Sequence, residues 1–76
     1  MKWKRTENSN SIDYEAEGES FVATITKAKG KGSTNYGYFV YVWKKSGKGS
    51  LRDVLSSEVP SLKEAKAVVF RTVVKL

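Results

Sequence analysis

Apolar and polar positions alternate with a period of two over residues 12–17, where Ile12, Tyr14 and Ala16 interleave with Asp13, Glu15 and Glu17. Successive side chains of a strand point to opposite faces, so this pattern predicts a half-buried strand with its carboxylates facing out. Gly18, set among polar residues, marks a turn. Residues 21–26 (Phe-Val-Ala-Thr-Ile-Thr) are rich in β-formers and predict a second strand. Residues 36–45 predict the strongest strand, because almost every side chain there is aromatic or β-branched. Ser46-Gly47-Lys48-Gly49 reads as a turn, and residues 50–55 as a weaker strand. The glycine-rich, basic segment 27–35, with Lys29 and Lys31, predicts a mobile hairpin loop. Residues 1–11 place Trp3 among Lys2, Lys4 and Arg5 ahead of a polar stretch, the pattern of an arm or edge strand followed by a loop.

The period changes after Pro60. Ser61 followed three residues later by Glu64 is a capping box, in which the serine oxygen accepts a hydrogen bond from a free amide of the first helical turn. From there Leu62, Ala65, Val69, Thr72, Val73 and Leu76 fall on one helical stripe, with Glu64, Arg71 and Lys75 opposite. Val68-Val69 and Val73-Val74 are weak helix formers, so the pattern leaves an extended tail after Ala67 open. The expected fold is α+β: an antiparallel sheet of three to four strands with one C-terminal helix packed on one face. It is a single domain, with residues 1–11 as arm or edge, 12–55 as sheet and 61–76 as helix.

Composition sharpens this. The chain has 76 residues and neither cysteine nor histidine, which excludes disulfides and removes the side chains that build zinc sites. Stability must come from one packed core, which at this size is marginal, alone or extended by a dimer interface; the sequence does not resolve monomer from dimer. The same two absences take away the commonest general base and the best nucleophile, so no enzyme and no cofactor is expected. Asp13, Glu15 and Glu17 with Gly18 begin like a calcium loop, but the twelfth position is Thr24, not the bidentate glutamate. Gly-Lys-Gly-Ser at 30–33 and 47–50 lacks the spacing of a phosphate-binding loop. The longest apolar run covers residues 38–43, too short to span a bilayer. Lys2, Lys4 and Arg5 lead into polar residues, not an apolar core, so a cytoplasmic protein with no membrane partner is expected.

Charge is uneven. The net charge is +6, and residues 20–55 carry Lys27, Lys29, Lys31, Lys44, Lys45, Lys48 and Arg52 against Asp53. Nucleic acid, an anionic membrane surface, an acidic protein or solubility alone accounts for such a block. Alternation along the strongest strand puts Tyr38, Val40 and Val42 on one face and Phe39, Tyr41 and Trp43 on the other. The helix stripe is small and branched, so Val40 and Val42 are its expected partners, and the second trio is then left on the open face beside Lys45. Aromatics exposed beside lysines stack on bases or anchor a protein interface.

From Tyr38 to Phe70 the order is aromatic strand, Lys-Lys-Ser-Gly-Lys-Gly turn, Arg-bearing strand, then Ser61-Leu62-Lys63-Glu64-Ala65-Lys66-Ala67 as helix start. This resembles the three-stranded-sheet-plus-helix DNA-binding domains of plant ethylene-response factors and the arm-binding domains of tyrosine recombinases. It also resembles small phage and prophage proteins of the same build. The resemblance implies a sheet face laid in the DNA major groove, with Trp43, Lys45 and Arg52 in contact. The expected function is therefore a small non-catalytic nucleic-acid-binding domain, DNA first, using Phe39, Tyr41, Trp43, Lys45, Arg52, Lys29, Lys31 and Lys48. The alternative is a phage-type protein-interaction module, or an inhibitor of a host or defence enzyme, working through the same aromatic face.

Overall fold

The computed structural model describes residues 1–28 and 37–76. Five strands form one antiparallel sheet in chain order: β1 (Lys4–Glu7), β2 (Ser11–Glu17), β3 (Phe21–Ala28), β4 (Tyr38–Ser46) and β5 (Ser50–Val59). A single helix, α1 (Leu62–Val73), follows. The α+β class and C-terminal helix agree with the sequence pattern, but the sheet has five strands where three to four were expected. The additional strand is β1, whose Lys-Arg-Thr-Glu sequence carries no apolar alternation. Pairing with β2 holds it, Arg5 lying opposite Tyr14 and Thr6 opposite Asp13. The basic loop with Lys29 and Lys31 lies outside the described residues.

The register aligns side chains in rows across the sheet. Tyr14, Ile25, Val40 and Ser57 form one row, and Ala16, Ala23, Val42 and Leu55 the next. These rows face α1. Ile25, Val40, Val42 and Val69 are fully buried there together with Ala23 and Ala65, and Phe21 and Ala16 close one end. Small alanines at Ala23 and Ala65 allow the helix and sheet backbones to approach. Tyr38, Leu55, Val59, Leu62, Val68 and Val73 pack around this cluster. Val40 and Val42 are thus the covered pair on β4.

Glycine is required at one close approach. A Cβ on the buried Gly37 would stand 2.9 Å from the Val59 carbonyl oxygen, a backbone atom with no side-chain freedom to yield. At the opposite end the β4–β5 turn sets Lys48 and Gly49 at φ 70° and 78°, the left-handed region that glycine enters freely and lysine at some cost.

The helix starts as its cap predicts. Ser61 is extended, and its Oγ accepts from the Glu64 amide at 3.1 Å. Helix continues through the valines to Val73 and does not turn extended after Ala67; burial of Val69 and half-burial of Val68 and Val73 outweigh their low propensity. Replacing the cap, Ser61→Ala, should cost about 1 kcal/mol and lower the melting temperature by several degrees. A melting temperature unchanged within a degree or so would show that this hydrogen bond contributes nothing.

Candidate interaction surface

The sheet face away from α1 is uncovered, and its residues follow from the same register. One row reads Thr6, Asp13, Thr26, Phe39, Glu58; the next Lys4, Glu15, Thr24, Tyr41, Ser56; the third Glu17, Val22, Trp43, Asp53. Lys45 and Leu51 form the last pair. Phe39, Tyr41 and Trp43 therefore run along β4, one strand in from the β5 edge of this face, each half-buried by its neighbours. Tyr41 and Trp43 stack with centroids 5.9 Å apart and planes 15° apart. Next to them Leu51 is 52% exposed and Val54 41%, and Tyr41, Trp43, Asp53, Val54 and Ser56 border an open hollow.

A β-bulge between Val42 and Trp43 on β4 and the facing part of β5 changes what else is there. Val42 pairs with Leu55 but Trp43 pairs with Asp53, leaving Val54 as the extra residue. One inserted residue reverses the facing of everything beyond it. Asp53 therefore joins Trp43 on the open face. Arg52, expected beside Trp43 and Lys45, lies opposite Lys44 on the helix side instead. Lys45 is on the open face but is engaged: its ammonium donates to the Glu17 carboxylate, while its backbone amide donates to the Ser20 carbonyl at 2.9 Å. Lys48 sits in the turn. Of the expected site residues, the structure brings Phe39, Tyr41, Trp43 and Lys45 together and separates Arg52 from them.

Charge is consequently sorted by face. Among the described residues the open face carries five carboxylates, Asp13, Glu15, Glu17, Asp53 and Glu58, against Lys4 and Lys45, a net of −3. The cations gather elsewhere: Arg5, Lys27, Lys44 and Arg52 on the helix side of the sheet, Lys63, Lys66 and Arg71 on α1, and Lys75 just past its end. Two of them lie against aromatic rings. Lys27 is 4.9 Å from the Tyr38 centroid, and Lys66 lies 6.0 Å from Trp3 and 5.8 Å from Tyr14. Arg5 is raised above its ordinary pKa by hydrogen bonds to Tyr14 and then Glu7, without consequence for a guanidinium that is always charged.

Sequence reasoning missed Asp53 and Glu58 as neighbours of the aromatic column. Glu58 lay beyond the expected end of its strand, and the bulge hid the facing of Asp53. Among the described residues no group of three or more acidic side chains is placed to hold a metal ion, and no helix is long and apolar enough to cross a membrane. No family model, curated protein or solved structure matches the chain.

Proposed function

We propose that this chain is a non-catalytic protein-interaction module whose open sheet face receives a segment carrying cationic and apolar side chains. The observation that carries this reading is an aromatic column with Glu58 and Asp53 beside it on β5, and with Asp13, Glu15 and Glu17 one strand beyond Thr26, Thr24 and Val22 on its other side. Phosphate would be repelled by a face of net −3, whereas an arginine laid on the Tyr41–Trp43 pair would meet Asp53 directly across from Trp43. Such a cation gains both ring attraction and an ion pair. Leu51 and Val54 offer apolar contact beside it, as the centre of a protein interface requires. The absence of histidine and cysteine supports the non-catalytic part of the reading.

The test is a titration of the isotopically labelled protein with a short peptide alternating arginine with tryptophan, against the same peptide with glutamate for arginine. Only the first should bind. Its resonance shifts should centre on Phe39, Tyr41, Trp43 and Asp53, and affinity should fall when Asp53 and Glu58 become Asn and Gln. Binding that maps to α1, or that ignores the two amidations, would overturn the reading.

One observation favours nucleic acid as a second reading, on another surface. Lys44 and Arg52 pair on the helix side, Lys48 lies in the adjoining turn, and Arg71 and Lys75 line a groove with Val54 and Leu55. A DNA duplex held there would shift these residues and leave Trp43 unmoved. Its affinity would fall steeply with salt, the logarithmic slope flattening by about one unit for each cation removed.

A further inference from the structure

The outer surface of α1 has the opposite character to the open sheet face. Lys63, Ala67, Phe70 and Val74 follow helical spacing and are all exposed, Phe70 at 60% and Val74 at 63%. Arg71 and Lys75 border this stripe, and Glu64 is its one acid. An exposed phenylalanine and valine in register, fenced by cations, form an apolar strip that water solvates poorly.

The chain thus carries both halves of a complementary pair: an apolar helical strip edged by cations, and an aromatic sheet column edged by carboxylates. We infer that the helix of one copy docks on the open sheet face of a second copy, so that the chain associates with itself head to tail. The inference rests on the open face being a docking surface and names its occupant as this chain's own helix. Dimensions agree. Lys63 to Val74 rises about 16 Å along the helix axis, and Phe39 to Lys45 runs about 20 Å along β4. Phe70 and Val74 would cover Tyr41 and Trp43, while Arg71 and Lys75 approach Asp53 and Glu58. The second copy's helix would complete a three-layer sandwich, the usual way for a sheet to lose an uncovered apolar face. Because the two surfaces differ, each docked pair leaves one free face of each kind, and association continues to a ring or a filament instead of stopping at a dimer.

Sedimentation equilibrium decides it. The native chain should show an average mass that rises with concentration past that of a dimer, and less so at high salt. Phe70→Asp, or Arg71→Glu with Lys75→Glu, should weaken association roughly tenfold or more. Trp43→Ser with Asp53→Lys should do the same from the sheet side. An equimolar mixture of the Phe70→Asp chain, whose sheet face is intact, and the Trp43→Ser/Asp53→Lys chain, whose helix is intact, should form a heterodimer and nothing larger. A native chain that stays monomeric at about millimolar concentration, a dimer that survives in both variants, or a mixture that does not combine would each overturn the inference. The Arg/Trp peptide separates the two readings: if it binds the native chain while that chain stays monomeric, self-docking fails and the module reading stands. If self-docking occurs while the peptide does not bind, the reading of the face as one for foreign partners fails.

Discussion

Ile25→Ala is expected to remove roughly half of the stability of the fold. Ile25 is fully buried at the centre of β3, between Tyr14 and Val40, in the row that faces α1. Truncating a buried isoleucine costs roughly 2–5 kcal/mol, through lost transfer energy and the cavity left behind. A 76-residue domain holds about 4–11 kcal/mol in all, and with no cysteine in the chain no disulfide adds to it. Thr24→Ala, one residue earlier and facing the open side, provides the control. In urea the Ile25 variant should lose at least half of the native midpoint, and the Thr24 variant only a small part. Similar losses from both would mean that the core does not lie where burial places it.

The contrast between Ile25 and Thr24 is one the sequence makes legible, because apolar and polar residues alternate from Ala23 to Thr26, and on the continuously apolar β4 the small helix stripe selects Val40 and Val42. What the sequence left open or missed has local causes. Lys-Arg-Thr-Glu has no apolar face of its own, so the sequence leaves it between arm and edge strand, and its pairing with β2 makes β1 a strand. Ser56, Ser57 and Glu58 are not strand formers, but β4 extends alongside them and its ladder carries β5 to Val59. The largest error concerned Arg52. Counting alternate residues back from Leu55 assigns it to the open face, and the single extra residue at Val54 sends it to the other. Nothing in Asp53-Val54-Leu55 announces a bulge, so the sign of the charge around the aromatic column could not be read before the register was known. The helix end stayed open for the opposite reason: intrinsic valine propensity allowed an extended tail after Ala67, and tertiary burial of Val69 closes that alternative.

That reversal of charge is why Trp43→Ala is the most informative functional substitution. Trp43 is the largest side chain of the column, stacked on Tyr41, directly across from Asp53, and at the border of the open hollow. Interface energy concentrates in such central aromatics, where truncation commonly costs 2 kcal/mol or more, equivalent to about a 30-fold loss of affinity. Binding of the Arg/Trp peptide should therefore weaken by at least that factor. Trp43→Phe, which keeps a ring in place, should recover much of it. Folding should suffer far less than in Ile25→Ala, because the Trp43 side chain packs on the uncovered side of the sheet and not among the residues beneath α1. Lys45→Ala should tighten peptide binding slightly, since it frees the Glu17 carboxylate that the lysine ammonium now occupies and leaves the face more negative. A DNA-binding face predicts the reverse for this pair, with Lys45→Ala weakening duplex affinity and flattening its salt dependence. Peptide affinity unchanged in Trp43→Ala, with Lys45→Ala lowering duplex affinity, would remove the aromatic column from the interaction and return the open face to nucleic acid.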